Sequence, residues 1–345
     1  MQKRLLLVLV VLLVVLGINS RIKEKDQTPL KNMSFETKIT EPERHVYVGA
    51  WVGGSWDNST KTLNTKKVSD FEKLIDKKLA IVNIYTDWTN LTNPLLLNDL
   101  QKLSDEKWTP MISSNPLFFD KCPKENKSLY ETIASGRCDT FLKEASLTLA
   151  KYEKPIMLRF AWEMNLPNMY WSTQKLESTP ADFVNAWRHF YKISKENAPN
   201  VLWVLSFNTT NSVTTPYKEL FPGDEFVDWV AIDGYNWGNS HPWGGWASFD
   251  GTFRASYNEL IALTKKPVML SEVNSAPTGG NKTSWLTDML EKQIPDNYKQ
   301  VGALIFFNEN KNEGESVDWR LEKSGDYVTA VKQGLTNKLY VSSFP

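Results

Sequence analysis

The sequence has no surplus of either charge. Its 345 residues include 40 Lys and Arg and 40 Asp and Glu, so the formal net charge at pH 7 is zero. A nucleic-acid-binding domain usually carries a basic surplus, and a charged tail forms a long block of one sign. The sequence has neither feature, so we expect no nucleic-acid partner.

Cysteine and histidine are also scarce, with two Cys and three His in the whole chain. Cys122 and Cys138, together with the scattered His45, His189 and His241, offer too few ligands for a zinc site. The sequence therefore predicts no metal. The two cysteines are equally compatible with a disulfide in an exported protein and with two free buried thiols.

No glycine-rich phosphate loop follows the first apolar run. Gly49–Gly54 (GAWVGG) lacks the G-x-G-x-x-G spacing with which a dinucleotide site begins. The chain also has no internal repeat at solenoid periods and no sign of a second domain. We therefore expect no cofactor and a single folded domain.

Long apolar runs are limited to the amino terminus. Two basic residues precede the apolar run Leu5–Leu16, which is shorter than the ~20 residues that span a bilayer. Such a pattern is typical of an export signal. Residues 1–18 are therefore predicted to be a signal peptide or, alternatively, a membrane anchor that tethers the chain through residues 5–18. The polar residues 19–43 are predicted to be a flexible linker. Both interpretations predict a secreted or extracellular protein.

Aromatic residues, in contrast, are abundant, with 14 Trp, 12 Tyr and 16 Phe. Carbohydrate sites use aromatic faces as platforms, because the C–H face of a pyranose ring is effectively apolar. From composition alone, an aromatic-rich core is the simpler explanation. The positions of the aromatic residues therefore have to decide between the two.

From residue 46 onward, strand-like runs alternate with segments of helical spacing. The runs are continuously apolar, as in parallel strands that are buried on both faces. Eight such units predict an α/β protein with a (β/α)₈ TIM barrel over residues 44–345. The predicted strands are Val46–Trp51, Ala80–Tyr85, Thr109–Ser113, Pro155–Arg159, Val201–Leu205, Trp229–Asp233, Pro267–Glu272 and Val301–Phe307. The main predicted helices are Val68–Ile75, Leu95–Lys107, Asp139–Tyr152, Pro180–Asn197, Phe253–Lys265, Trp285–Lys292 and Tyr327–Gly334.

Polar residues stand at the predicted carboxyl ends of the strands, where a barrel carries its active site. Glu163 follows strand four and Glu272 ends strand seven, and these two strands face each other across a barrel. Trp162 is an apolar neighbour that would raise the pKa of Glu163, and Arg159 or Tyr235 would hold Glu272 ionised. A neutral and an ionised carboxyl, about 5–5.5 Å apart, are what a retaining glycosidase needs. The other candidate site residues at these ends are Asn165, Asp233 and Asn308.

The segment Arg159–Asn165 (RFAWEMN) resembles the R-F-x-H-E-M-N signature of family 26 glycoside hydrolases, which are largely endo-β-mannanases. Matching segments follow in order: Val227–Gly238 (VDWVAIDGYNWG), Ser271-Glu272 with Ser275–Pro277, and Phe307-Asn308 with a later Asp318–Arg320. The resemblance covers about residues 45–325. It implies that Glu163 is the acid/base and Glu272 the nucleophile. It also implies that Tyr235 hydrogen-bonds the nucleophile, with Asp233 and Asn165 supporting the site.

Three positions depart from the family pattern. Trp162 replaces the usual His, Leu166 replaces a common Gly, and the aromatic platform of strand eight corresponds to Phe306. All three would touch the sugar near the cleavage point. The resemblance makes β-1,4-mannan the first choice of substrate, and the three departures make mixed-linkage β-glucan or β-1,3-xylan the alternatives. Further candidate platforms are Trp171, Trp237, Trp243 and Trp246, for each of which burial against the barrel wall is an equally good explanation.

The sequence therefore predicts a secreted, monomeric, retaining endo-β-glycanase that acts on a polysaccharide. One alternative is a carbohydrate-binding barrel that has lost hydrolytic activity. Another is a membrane-bound or wall-bound protein with a structural role, which depends on the amino-terminal segment alone.

Overall fold

Eight parallel strands form the centre of the fold and close into a barrel. In the computed structural model each strand pairs with its neighbours in chain order, and the last pairs with the first. This confirms the predicted (β/α)₈ barrel. The strands are β1 Val46–Val52, β2 Ile81–Asp87, β3 Thr109–Asn115, β4 Ile156–Phe160, β5 Val201–Asn208, β6 Trp229–Asn236, β7 Val268–Ser275 and β8 Val301–Asn308.

The structure describes residues 44–57, 62–124, 127–242, 244–311 and 317–345. The predictions for residues 1–18 and 19–43 lie outside the described residues. Within the described part of the chain, no helix is long and apolar enough to cross a membrane. Arg44–Pro345 forms one compact unit.

Helices cover the outside of the barrel, and their ends follow the capping rules. α5 begins with a capping box between Thr179 and Asp182 and with Pro180 in its first turn, which fixes its start where the sequence predicted it. The helices are α1 Thr65–Ile75, α2 Pro94–Asp105, α3 Leu129–Ala134, α4 Asp139–Ala150, α5 Pro180–Asn197, α6 Tyr217–Leu220, α7 Phe249–Leu263, α8 Lys282–Asp288 and α9 Gly325–Gly334.

Several short elements were not predicted from the sequence. α8 continues as a π-helix, Met289–Asn297, and Tyr340–Val341 pairs with the start of β1. Two short hairpins follow the carboxyl ends of β1 and β8, and they join Trp56–Asp57 to Thr62–Leu63 and Asn310–Lys311 to Val317–Asp318. The two-residue strands are too short to produce a periodic pattern in the sequence, whereas the predicted helix Trp285–Lys292 includes the first turn of the π-helix.

The alternation of side chains along each strand separates two apolar layers. Met157 of β4 belongs to a cluster inside the barrel, whereas Leu158 and Phe160 pack between the strands and the helices. Arg159 shares the inner face with Met157 and is fully buried. The barrel is therefore filled with apolar side chains near its amino end and with charged side chains near its carboxyl end.

Cys122 and Cys138 form a disulfide, with their Cα atoms 4.7 Å apart. The bond ties the connection after β3 to the start of α4, across a separation of 16 residues. Of the two possibilities that the sequence left open, the structure contains the paired form.

Candidate active site

Glu163 and Glu272 lie close together at the carboxyl end of the barrel. Glu163 follows β4 and Glu272 lies near the end of β7, and only 7% and 6% of these residues are exposed. One carboxylate oxygen of Glu163 lies within 4.8 Å of one of Glu272. Such a close pair suits direct attack by one carboxylate, since pairs that activate a water stand roughly 6.5–9.5 Å apart.

Glu272 accepts hydrogen bonds from three side chains. The hydroxyl of Tyr85 lies 2.5 Å from its Oε1, Arg159 Nη2 contacts the same oxygen, and the hydroxyl of Tyr235 donates to Oε2. Burial would raise the pKa of Glu272. The charge of Arg159 and these hydrogen bonds outweigh burial and hold the pKa below its ordinary value. Glu272 is therefore held as a carboxylate.

A β-bulge in β7 orients Glu272. The register of β7 shifts by one residue against both of its neighbours, because one extra residue of β7 lies between Leu270 and Val273. On the β6 side, Ile232 pairs with Leu270 and Asp233 with Glu272, so the extra residue is Ser271. Bulges of this kind re-aim side chains next to functional sites. The bulge thus explains how Glu272 comes to face the centre of the barrel mouth.

Arg159 is itself fixed by a buried network. Its Nη1 donates to both carboxylate oxygens of Asp233, at 2.9 and 3.0 Å, and its Nε donates to Ser113 Oγ at 2.7 Å. Arg159 and Asp233 are both 0% exposed. The guanidinium therefore lies between two carboxylates in a fixed orientation, with one of its edges directed at Glu272.

Glu163 has a different environment. Burial, and secondarily the charge of Glu272, raise the pKa of its carboxyl to about 7. Asn208 Nδ2 donates to its Oε1 at 2.6 Å, which opposes part of that rise. Near neutral pH a large fraction of Glu163 is therefore protonated, while Glu272 is ionised.

Asn165 acts through Asn208 rather than by contact with a ligand. Asn165 Oδ1 accepts a hydrogen bond from the Asn208 backbone N–H at 2.8 Å, and its Nδ2 donates to the Asn208 carbonyl at 2.9 Å. Asn165 is 0% exposed. It holds the end of β5 so that the Asn208 amide reaches Glu163.

The backbone around Glu163 is strained. Ala161 and Glu163 have φ values of +49° and +55°, in the left-handed region that side-chain-bearing residues rarely adopt. Each such residue costs on the order of 1–3 kcal/mol unless its surroundings hold it. Here the Ala161 N–H donates to the Ser114 carbonyl at 2.8 Å and the Glu163 N–H to the Ser206 carbonyl at 3.0 Å. These bonds to β3 and β5 fix the turn that carries the carboxyl.

The two carboxylates open into a cleft of about 910 Å³. Its aromatic lining residues are Tyr85, Trp162, Trp171, Tyr235, Trp237, Phe307 and Trp319. Polar lining residues include Asn168, Asn208, Thr209, Asn211, Glu309 and Lys311. Aromatic faces beside hydroxyl, amide and charged groups suit a ligand with apolar C–H faces and a hydroxylated edge.

Trp162 is held on three sides. Its ring lies 5.4 Å from that of Tyr85 and 4.4 Å from that of Trp171, and the Arg159 guanidinium is 5.6 Å from its centroid. Trp171 Nε1 also donates to the Trp162 carbonyl at 2.7 Å. Trp162, Trp171 and Trp237 thus line the cleft, although Trp171 is almost completely buried.

The prediction that Phe306 of β8 is a platform in the cleft is wrong. Phe306 is 0% exposed and packs among the helices, whereas its neighbour Phe307 lines the cleft. Successive side chains of a strand point to opposite faces, so an error of one residue assigns to the cleft a side chain that lies in the outer core. Asn308 does not line the cleft, because its amide bonds Glu322 Oε2 at 3.0 Å and the Leu321 N–H at 2.8 Å.

The last two candidate platforms are Trp243 and Trp246. Trp243 lies outside the described residues. Trp246 is half-buried, and its indole packs so closely on Gly280 that a Cβ there would come within 2.3 Å of it. Trp246 is not among the described residues that line the cleft. For Trp246, burial against the protein is thus the better explanation.

Some important residues were not singled out from the sequence. Tyr85 closes the second predicted strand, so its position at a strand end was an available signal. Asn208 lies three residues beyond the predicted end of strand five, and no pattern marked it. The same is true of Lys282, which is 2% exposed and donates to the Trp319 carbonyl at 2.9 Å. Burial lowers the pKa of Lys282 to about 7.

Glu163, Asp233 and Glu272 are the described acidic residues close enough to share a cation, since one oxygen of each lies within 4.8 Å of the others. Asp233 and Glu272 already direct oxygens to the Arg159 guanidinium. A cation bound there would meet that fixed positive charge at close range. The donor set therefore suits the arginine better than a metal ion.

Comparison with known proteins agrees with this arrangement. The model of glycosyl hydrolase family 26 matches residues 126–279. The chain is 29% identical over 340 residues to Endoglucanase H of Acetivibrio thermocellus, an alignment that covers 97% of this chain and 34% of that protein. This chain thus spans about a third of the length of that relative.

Solved structures share the fold. The catalytic domain of the endo-β-1,4-mannanase of Bacillus sp. JAMB-750 has a TM-score of 0.60 at 15% identity, covering 86% of this chain and 87% of that chain. A mannanase of Bacillus subtilis has a TM-score of 0.57 at 16% identity, covering 88% of each chain. At such identities the similarity concerns the fold alone. The matched family model and the alignment over nearly the whole chain show that this chain is similar to members of glycosyl hydrolase family 26.

Proposed function

We propose that this chain is a retaining endo-β-glycanase, with Glu272 as nucleophile and Glu163 as acid/base. The observation that carries the proposal is the pair of buried carboxyls within 4.8 Å whose pKa values are shifted in opposite directions. Glycoside cleavage needs one carboxylic acid that keeps its proton near pH 7 and, beside it, one ionised carboxylate that can attack the sugar.

In the first step Glu272 attacks the anomeric carbon while Glu163 transfers its proton to the departing glycosidic oxygen. The leaving sugar departs with a new hydroxyl group, and the remaining sugar is bound covalently to Glu272. In the second step Glu163, now ionised, takes a proton from water, and the resulting hydroxide attacks the same carbon. Glu272 is released, Glu163 is protonated again, and the product keeps its original configuration.

The hydrogen-bond donors around the two glutamates give them different roles in the two steps. Arg159, Tyr85 and Tyr235 stabilise the negative charge of Glu272 before attack and when it is released. Asn208 contacts Glu163, and it stabilises the ionised form of Glu163 that acts as the base in the second step. The two glutamates therefore have separate sets of donors.

For the polymer, we rank a β-linked glucan, including mixed-linkage β-glucan, above β-1,4-mannan. The relative that aligns with nearly the whole chain at 29% identity is named an endoglucanase, whereas the mannanases align at 15–16% and inform only the fold. Trp162 stands where the mannanase signature has His, at the edge of the reacting site. Mannan remains the second candidate because of the other matching motifs, and β-1,3-xylan the third.

We also propose that the chain acts outside the cell. The basic and apolar pattern of residues 1–18 supports export, and the Cys122–Cys138 disulfide is typical of oxidising compartments. The mature chain should then be recovered in culture medium with an amino terminus near residue 19. Recovery of the intact chain in the membrane fraction would instead favour an anchor.

The deciding experiment is a reducing-sugar screen over mixed-linkage glucan, β-1,4-glucan, mannan, glucomannan and β-1,3-xylan. NMR of the first product should show the β-anomer. Glu163→Gln and Glu272→Gln should fold normally and lose activity by orders of magnitude. Early release of the α-anomer would contradict the retaining mechanism. Binding of a glycan without hydrolysis would favour a carbohydrate-binding barrel that has lost hydrolytic activity.

A further inference from the structure

Tyr130 of α3 is a buried tyrosine whose hydroxyl bonds the backbone near the acid/base. It is 0% exposed, and its hydroxyl donates to the Trp171 carbonyl at 2.5 Å. Burial raises the pKa of this hydroxyl well above its ordinary value, so it keeps its proton and remains a donor near neutral pH. No step of the proposed reaction uses Tyr130, which leaves the purpose of this buried bond open.

The contacts of Tyr130 lead to both flanks of Glu163. Trp171, which accepts from Tyr130, donates through Nε1 to the Trp162 carbonyl at 2.7 Å. Trp162 directly precedes Glu163, and its indole ring lies 4.4 Å from that of Trp171. The Tyr130 hydroxyl oxygen also lies 3.9 Å from Sδ of Met164, which directly follows Glu163. Tyr130 therefore supports one flank through Trp171 and contacts the other directly.

The turn that carries Glu163 depends on such support. Ala161 and Glu163 have left-handed backbones, which persist only where the surrounding structure holds them. Strands β3 and β5 hold the N–H groups of these two residues. The contacts of Tyr130 come instead from α3, in the layer of helices. The turn is thus held from two sides, and loss of the second would let the Glu163 carboxyl move away from the leaving oxygen.

The helix that carries Tyr130 is itself anchored at several points. α3 has six residues, too few to be stable alone. A capping box at Ser128 fixes its start, and the Tyr130 ring packs edge-on against Phe183 of α5, with 5.3 Å between the centroids. The disulfide of Cys122 and Cys138 joins the chain on the two sides of α3. A functional group is held accurately only when its supporting residues are rigid, and α3 meets this condition.

We propose that Tyr130 is a positioning residue that holds the acid/base Glu163 at the leaving oxygen, through its contacts with both flanks of the turn. The proposal rests on the proposed function, since it takes Glu163 as the acid/base. It gives α3 a role in the reaction although none of its residues is among those described as lining the cleft.

The test separates proton donation from substrate binding by changing the leaving group. The substrates are the phenyl and the 2,4-dinitrophenyl glycosides of the β-linked gluco- or manno-oligosaccharide that the wild type hydrolyses. Phenol needs a proton from the acid as it leaves, whereas dinitrophenol leaves without one. Because kcat/KM reports only the steps up to the first irreversible one, it measures formation of the covalent intermediate in both cases.

Tyr130→Phe removes one hydroxyl group and keeps the ring that packs in the core. It should lower kcat/KM for the phenyl glycoside by about tenfold, less than the ~10²-fold that a displacement of about 1 Å can cost. The value for the dinitrophenyl glycoside should fall by less than about twofold, since that leaving group needs no acid. A loss of stability alone would not change the ratio of the two values.

Tyr340→Phe is the matched control. Tyr340 is 1% exposed, and its hydroxyl donates to a backbone carbonyl, that of Leu290, at 2.7 Å. It lies beside the start of β1, at the amino end of the barrel and away from the cleft. Each substitution removes one buried hydrogen bond to a carbonyl, so both should lower Tm. Tyr340→Phe should keep the wild-type ratio of the two kcat/KM values.

A double variant shows whether the effect passes through Glu163. Glu163→Ala already lacks the acid, so the addition of Tyr130→Phe should change kcat/KM for the phenyl glycoside by less than about twofold. A further tenfold loss would mean that Tyr130 acts on another part of the site, and it would overturn the positioning role.

The remaining outcomes distinguish this proposal from the proposed function. Equal ratios in Tyr130→Phe and Tyr340→Phe would overturn the positioning role and leave the proposed function intact. A wild type that is inactive on both glycosides and in the reducing-sugar screen would overturn both. If Tyr130→Phe does not fold, Ser128→Ala takes its place, because it weakens the cap of α3 without touching the turn. It should lower the same ratio by about threefold, and an unchanged ratio would overturn the role.

Discussion

The ends of β4 and β7 present the same side chain in two different environments. Glu163 and Glu272 are almost equally buried, at 7% and 6% exposed, yet the pKa of the first is raised to about 7 and that of the second is lowered. Burial alone would raise both. The difference is due to the partners, since Glu272 faces a guanidinium and two phenols and Glu163 accepts from one amide.

The two strand ends also differ in backbone. Glu163 lies in a turn with two left-handed residues, Ala161 and Glu163 itself, that is held by bonds to β3 and β5. Glu272 lies within its strand, where the extra residue Ser271 turns its side chain toward the barrel mouth. Strain in one strand end and a bulge in the other bring the two carboxyls within 4.8 Å. The strained turn and the bulge bring the two carboxyls close together, and the surrounding hydrogen-bond donors determine which one acts as acid/base and which as nucleophile.

The largest expected effect separates the two roles directly. Glu272→Ala should lower kcat by about 10⁴-fold or more, since it removes the nucleophile. Glu163→Ala should lower kcat by about 10²–10⁴-fold, and by much less for a substrate with an acidic phenol as leaving group. Azide should restore part of the activity in each variant. With Glu272→Ala it replaces the nucleophile and yields the α-glycosyl azide, whereas with Glu163→Ala it attacks the covalent intermediate and yields the β-glycosyl azide.

NMR of the two azides checks this prediction. The control is the wild-type enzyme with azide, in which the ordinary hydrolysis product should predominate. Products of the same configuration from both variants would mean that the two carboxyls do not have the distinct roles proposed for them.

The pattern of the sequence was sufficient for the barrel and for the two carboxyls. β4 and β7 are buried at every residue, and this continuous burial produces the apolar runs that mark strands of a parallel sheet. Because the carboxyl ends of such strands meet at one face, any polar residue there enters the site. Glu163 and Glu272 could therefore be predicted from their positions at the ends of two apolar runs.

The pattern was not sufficient for contacts made between strands. Asn208 reaches Glu163 from β5 and Tyr85 reaches Glu272 from β2, and both contacts depend on the twist and closure of the barrel. The sequence likewise did not show which of the two adjacent phenylalanines at the end of β8 faces the cleft, so Phe306 was chosen in place of Phe307. An apolar run that contains adjacent phenylalanines has the same composition in either phase.

A smaller effect is expected on the pH dependence. Since Glu163 must be protonated for the first step, kcat/KM should fall above a pKa of about 7. Asn208 donates to the ionised form of Glu163, which lowers that pKa. Asn208→Ala should therefore move the alkaline limb to higher pH by about one unit, equivalent to a hydrogen bond of ~1.4 kcal/mol.

The measurement is the pH profile of kcat/KM for one oligosaccharide. Asn297→Ala, an exposed asparagine in the π-helix, is the control and should leave the limb in place. A limb that moves to lower pH in Asn208→Ala would show that Asn208 stabilises the protonated acid instead.

The smallest expected effect is on stability, where the two glutamates should respond in opposite directions. The folded pKa of Glu163 is above its ordinary value of 4.5, so its contribution is fully present below pH 4.5 and is lost as pH rises through about 7. Near pH 8 the buried charge is unfavourable, and Glu163→Gln should raise the free energy of unfolding by on the order of 1–3 kcal/mol. The folded pKa of Glu272 is lowered, so Glu272 stabilises the chain above its unfolded pKa, and Glu272→Gln should destabilise it near pH 8.

Thermal unfolding of both variants and of the wild type, near pH 8 and again near pH 5, provides the measurement. A change of this size corresponds to a few degrees in Tm for a chain of this length. Near pH 5 the Glu163→Gln difference should shrink, because wild-type Glu163 is then protonated in the folded chain. If both variants shift Tm in the same direction near pH 8, the two strand ends do not differ in electrostatic environment. The catalytic difference between them would then have to come from geometry alone, from the strained turn at Glu163 and the bulge before Glu272.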